Sequence, residues 1–141
     1  MNAPTLIVGL GGKGSDVALR VSQMVSEEER RRIGFAVFDT DVNELRKIKE
    51  KNSFVHTIQT STKLSVGEYL DIDTHARDTW FPVNAILNSK TLTEGAGQVR
   101  AVSRMAFETA IRAGKMEELH QAIESLYKLE GDEYQQALRV I

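Results

Sequence analysis

The sequence predicts an α/β fold: a three-layer, Rossmann-like, mainly parallel sheet with helices on both faces. Three observations carry that prediction. The first 58 residues read as strand, helix, strand, helix, strand, the order of a doubly wound sheet with right-handed crossovers. The opening strand is a continuous apolar run, Thr5-Leu6-Ile7-Val8, of the kind buried on both faces. A glycine-rich turn joins it to the first helix, as in nucleotide-binding α/β sheets.

Each element follows in order. Pro4 and Gly9 bound the first strand. Val17, Val21, Met24 and Val25 recur at helical spacing and predict the inward stripe of the first helix. Ser26-Glu27-Glu28-Glu29 has capping-box spacing and restarts or extends that helix, which Gly34 ends. The charges of Glu27–Arg32 read as a solvated face. Phe35–Phe38 is the second strand, with Asp39-Thr40-Asp41 directly behind it. Val42–Glu50 is a short helix with Leu45 and Ile48 inward, and Ser53–Ile58 a third strand. Residues 59–94 read as an irregular excursion over the sheet edge, with a short helix near Ser65–Leu70. In it, Trp80-Phe81-Pro82 reads as a packing anchor rather than a base-stacking platform. A helix opens after Gly95-Ala96-Gly97, turns Val102, Met105, Ala106, Ala110 and Ala113 inward, and breaks at Gly114. Met116, Leu119, Ile123 and Leu126 mark another, closed near Gly131. Ala137–Ile141 reads as the first half of a strand, so residues 1–141 are expected to be one nucleotide-binding domain cut from a longer protein.

Composition narrows the function. The 141 residues carry a formal net charge of −2, which gives no electrostatic basis for binding nucleic acid or an anionic membrane. With no cysteine, disulfides and thiolate metal sites are excluded. The apolar run Leu6–Leu10 is too short for a signal core or a membrane span, so a cytoplasmic protein without membrane insertion is expected.

Gly9-Leu10-Gly11-Gly12-Lys13-Gly14-Ser15 fits G-x-G-x-x-G at Gly9, Gly11 and Gly14. Such glycines allow a tight turn, let backbone N–H groups approach a phosphate, and let a helix pack on its strand. The helix N-terminus adds partial positive charge. The bland alternative is a purely structural turn. Lys13 sits inside the turn, so this is not a P-loop, and a solvated lysine is its plain reading. Asp39 and Asp41 stand where open α/β sheets collect ligands. They suit ribose hydroxyls or a hydrated Mg²⁺, or else a cap on the next helix. Gly95-Ala96-Gly97-Gln98-Val99-Arg100 is a second glycine turn before a helix, able to cradle another part of a polyphosphate. Asp71, Asp73 and His75 read as a polar loop rather than a metal site, and His56 and His120 as structural or exposed.

Taken together, Val8–Ser15, Asp39-Thr40-Asp41 and Gly95–Ala106 resemble, in order and spacing, the first phosphate loop, the short acidic loop and the third loop of the tubulin/FtsZ superfamily, nearest its bacterial tubulin-like branch. The resemblance implies GTP or GDP at the carboxyl edge of the sheet, with Mg²⁺ accompanying GTP. Phosphates would be held by Gly9, Gly11, Gly12, Lys13, Gly14, Ser15, Gly95, Ala96, Gly97 and Gln98, and Asp39, Thr40 and Asp41 would lie near the ribose or cation. Arg100 and Arg104 are phosphate partners or helix salt bridges. The family also implies head-to-tail self-association through the nucleotide edge. Three departures stand out. Ser103 replaces the usual glycine before Arg104, Asp16 replaces an asparagine, and the Gly-Gly-Gly-Thr-Gly-Ser/Thr-Gly signature is absent. On that basis residues 1–141 are expected to bind nucleotide weakly and not to hydrolyse GTP by themselves. Alternatives remain open. A dinucleotide-binding enzyme domain accounts for Gly9, Gly11, Gly14 and Asp39. An adenylating fold is roughly echoed by Asn43-Glu44-Leu45-Arg46. An assembly module with a degenerate site would be marked by Asp16 and Ser103.

Overall fold

The computed structural model describes residues 3–82, 84–91, 93, 96–97, 99–128 and 139–141. Its contacts divide the chain into two compact units. The first comprises Met1–Asp39, Asn43–Ile58 and Met116–Ile141, and the second Thr40–Val42 and Gln59–Lys115.

The first unit holds the sheet. Its strands are β1 (Thr5–Leu10), β2 (Ile33–Asp39), β3 (Val55–Gln59) and β4 (Arg139–Val140). Among the described residues they lie in the order β3-β2-β1-β4. β1 runs parallel to both neighbours, with Leu10 opposite Phe38 and Leu6 opposite Val140. Helix α1 (Gly11–Met24) follows β1 and α2 (Val42–Lys51) follows β2. Helix α7 (Glu117–Lys128) precedes β4 in the chain.

The alternation of β2 explains the layers. Phe35 and Val37 pack with Ala18 of α1, Leu45 of α2 and Val55. Ala36 and Phe38 point the opposite way, into Leu6, Ile58, Ala122 and Leu126, so α7 covers the other face. Each large apolar side chain buried this way contributes about 1.5–3 kcal/mol. The expected three-layer α/β arrangement is therefore present.

Several sequence expectations are corrected. Val17 and Met24 are exposed, and α1 buries Ser15, Ala18 and Ser22 instead, with Val21 and Val25 at the margin of the core. Gly34 does not end a helix; it lies inside β2, where an added Cβ would meet Leu126 at 3.1 Å and Leu6 at 3.3 Å. Ser26 and Glu29 do bond reciprocally, but only a single 3-10 turn, Glu29–Arg31, follows, and its N-cap Glu28 makes no side-chain cap bond. The closure near Gly131 and the positions Ala137 and Leu138 lie outside the described residues.

The second unit replaces the expected irregular excursion with short helices: α3 (Val66–Ile72), α4 (Thr74–Thr79) and α5 (Ala85–Asn88), followed by α6 (Arg100–Arg112). Each short helix has its own start signal. Ser65 and Glu68 form a capping box, Asp73 accepts from the Ala76 N–H, and Asn84 accepts from the Ile86 N–H. Val66, Tyr69, Leu70, Ala76 and Phe81 pack on Val102, Met105 and Ala106 of α6. Phe81 thus anchors the segment as expected, while Ala113 is exposed rather than inward. Gly114 ends α6 at φ +70°, with bonds from the N–H groups of Gly114 to Ile111 and of Lys115 to Ala110, a Schellman closure.

A polar cluster ties α3 and α4 to α6. The Tyr69 hydroxyl lies 3.0 Å from Asp73 and 3.3 Å from Glu108, and Arg112 donates to Asp73 at 2.8 Å. Burial, then the adjacent Asp73, pushes the Tyr69 hydroxyl up to about 12. A raised acid stabilises the fold fully below its ordinary value of 10.0 and loses that contribution as pH climbs toward 12. Alkaline titration at 295 nm is therefore expected to show Tyr69 ionising late, with stability falling across the same interval. In Tyr69→Phe the late step should vanish. The Ala76 N–H, then Arg112 and Tyr69, hold Asp73 below its ordinary 3.8, so its contribution persists above that value and is lost only as the medium becomes more acidic.

Candidate functional site

β1 passes into α1 without an intervening loop, because Gly11 turns the chain at φ +67°. The four glycines here do different work. Gly9 and Gly14 are where strand and helix touch: a Cβ on Gly9 would lie 2.6 Å from the Gly14 carbonyl oxygen, and one on Gly14 would lie 3.2 Å from Gly9. Gly11 is required by its left-handed conformation. Gly12 is required by neither. It has no positive φ, and nothing lies within 4 Å of where its side chain would begin.

The start of α1 leaves backbone donors open. The N-cap, Leu10, has no side-chain acceptor, so the N–H groups of Gly12 and Lys13 lack an intrahelical partner. No acidic residue occupies the first turn, and the exposed Lys13 adds positive charge to the positive end of the helix dipole. Ser15, one turn on, is 2% exposed, and its hydroxyl has no hydrogen-bond partner.

Position in the sheet reinforces this. β2 and β3 lie to one side of β1 and β4 to the other, so the strand order reverses around β1. Open α/β sheets bind ligands at such a switch, outside the carboxyl ends of the strands. Asp39 ends β2 there, one residue beyond the Leu10–Phe38 pairing and thus level with Gly11. Thr40 and Asp41 follow it in the chain and lead into α2.

The second glycine turn belongs to the other unit and has similar local chemistry. Gly97 takes φ +58°, and α6 begins at Arg100 with no side-chain cap and no acid in its first turn. Ala96 is half-buried, while Gly95 and Gln98 lie outside the described residues. Arg100 is exposed. Arg104 takes the salt-bridge alternative, 3.0 Å from Glu108 and 4.1 Å above the Trp80 ring. Sequence reasoning passed over Lys90, whose ammonium fills the space a Gly97 side chain would need.

Other polar residues have structural partners. Asp73 caps α4 and binds Arg112; His56 faces Glu118 at 3.7 Å and His120 faces Glu124 at 3.1 Å. No group of three or more His, Asp or Glu among the described residues is placed to hold a metal. No described helix is long and apolar enough to cross a membrane. A 380 Å³ groove between α3 and α5, floored by Leu70, Phe81 and Pro82, involves none of the glycine-turn residues.

Comparison with known proteins gives one result. A family model described as tubulin-like matches residues 6–140, nearly the whole chain, and the chain therefore belongs to that family. No curated protein and no solved structure matches it.

Proposed function

From membership of the tubulin-like family, we propose that this chain binds a guanine nucleotide, GTP or GDP, by its phosphates at the Gly9–Ser15 turn. The observation that carries the reading is Gly12: a residue whose glycine identity the fold does not demand, at an uncapped helix N-terminus, on the strand where the sheet order reverses. Leaving that position bare keeps the N–H groups of Gly12 and Lys13 open to a phosphate. Asp39, with Thr40 and Asp41 behind it, meets the ribose or a hydrated Mg²⁺. The Ala96–Gly97 turn, with Lys90 and Arg100 beside or after it, supports the same reading through its own chemistry. Nucleotide-dependent self-association through the nucleotide edge is the assembly this reading implies.

A thermal-shift panel tests it. GTP or GDP at about 100 times its dissociation constant should stabilise the chain by about 2.7 kcal/mol. NAD as the sole stabilising ligand would point to a dinucleotide-binding domain and ATP to an adenylating fold. No shift with any of them would leave an assembly module with a degenerate site.

A further inference from the structure

Helix α1 buries Ser15, Ala18 and Ser22 against the sheet, and a second set of apolar positions runs beside that buried face. Leu10, Gly14, Val17, Val21 and Met24 follow one another at alternating intervals of four and three residues, the pattern of a coiled-coil seam. Leu10, Val17 and Met24 are 68%, 61% and 84% exposed, and Gly14 and Val21 between them are half-buried. At 1.5 Å per residue the seam is about 21 Å long. Single exposed apolar residues are ordinary, but three on one line of one helix form a strip, and such strips mark interaction surfaces.

One border of the strip is basic. Lys13 and Arg20 stand directly before Gly14 and Val21, which in heptad terms is the g position, where charge selects the partner helix. Both are exposed, and neither pairs with a carboxylate among the described residues. Asp16 lies beyond them, farther round the helix from the seam. The other border, Gly11, Ala18 and Val25, carries no charge.

We propose that this face of α1 is a docking surface for an amphipathic helix with an acidic border. The apolar residues of that helix sit between Leu10, Val17 and Met24, and its Asp or Glu side chains meet Lys13 and Arg20. The seam spacing sets the kind of element and the basic border sets its charge, independently of whether a nucleotide binds. A second copy of the chain does not meet the requirement. In antiparallel packing g faces g, so Lys13 and Arg20 of one copy would meet those of the other. In parallel packing g faces e, and Gly11, Ala18 and Val25 offer no acid. Asp16 on the exposed face, and Glu27, Glu28 and Glu29 just beyond Met24, oppose an anionic bilayer.

The probes are two designed helical peptides of about three heptads with leucine at a and d. One carries glutamate at e and g, the other lysine, so neither pairs with itself. Binding to the full chain is read by fluorescence anisotropy. The glutamate peptide should bind, and the lysine peptide at least tenfold more weakly, with the difference shrinking as salt rises. Arg20 and Met24 carry the test, because Leu10 and Lys13 also border the glycine turn. Met24→Gln should weaken the glutamate peptide roughly tenfold, the loss expected for one buried apolar side chain. Arg20→Glu should shift the preference toward the lysine peptide. Both substitutions fall on exposed residues and should leave the melting temperature unchanged. Failure of both peptides to bind, equal affinity for the two, or a preference unmoved in Arg20→Glu overturns the proposal. A wild-type dimer in sedimentation that becomes a monomer in Met24→Gln also overturns it and assigns the face to a second copy. Binding to phosphatidylserine vesicles that is lost in Met24→Gln overturns it in favour of a bilayer.

Discussion

Gly12→Val is expected to abolish nucleotide binding while leaving the fold intact. A Cβ added at Gly12 would meet nothing within 4 Å outside its own helix turn. Valine is also no worse a helix residue than glycine, so stability should hold to within about 1 kcal/mol. Helical side chains tilt toward the helix N-terminus, so the same side chain is expected to crowd the uncapped N–H groups at the start of α1. Losing two bonds to a charged phosphate, at about 1.5–3 kcal/mol each, weakens binding by at least ~100-fold. Thermal melting and calorimetric titration of the same preparation separate the two effects. An unchanged affinity would remove Gly12 from the site.

Gly9→Ala should do the reverse and damage the fold directly. Its Cβ would sit 2.6 Å from the Gly14 carbonyl oxygen, 2.8 Å from its carbonyl carbon and 2.9 Å from the Ser15 nitrogen. These are backbone atoms held in a helix, and Gly9 is held opposite Val37 in the ladder. Neither side can yield like the end of a flexible side chain, so the cost is at the upper end of overpacking, about 3 kcal/mol or more. Denaturant unfolding of Gly9→Ala against Gly12→Ala measures it, because both add one methyl to the same turn. Equal midpoints would contradict the division of labour among these glycines.

That division also explains which parts of the fold the sequence displayed. The βαβαβ order, the place of β2 and the glycine turn were legible because each rests on local patterning: a continuous apolar run, a helical period, a left-handed position. The inward face of α1 was not. Periodicity selects the largest apolar residues, Val17 and Met24, whereas the Gly9–Gly14 contact brings the helix so close to the sheet that the small residues Ser15, Ala18 and Ser22 face inward. Gly34 was misread for a related reason. A glycine between a charged stretch and an apolar run suggests a terminator, but here it makes room for Leu126, distant in sequence.

In the segment 59–94 the helix expected near Ser65–Leu70 is present as α3, but α4 and α5 were hidden, because six and four residues are too few to repeat an apolar period. The caps of all three were nevertheless written in Ser65-x-x-Glu68, Asp73 and Asn84. The Tyr69–Asp73–Arg112–Glu108 cluster joins side chains as many as 39 residues apart, and no local pattern announces it. For the candidate site, sequence supplied the turn and the acids. The separate roles of the four glycines, the engagement of Arg104 with Glu108 and Trp80, and the unmade bond of Ser15 depend on packing and became visible only in three dimensions.

The central claim is that backbone N–H groups at the start of α1 hold a guanine nucleotide's phosphates. Amide ¹H–¹⁵N spectra recorded during a GDP titration test it most directly. The expected result is saturable movement concentrated at Gly11, Gly12, Lys13 and Ser15, absent in Gly12→Val. Saturable GDP binding that leaves those four amides unmoved would contradict it.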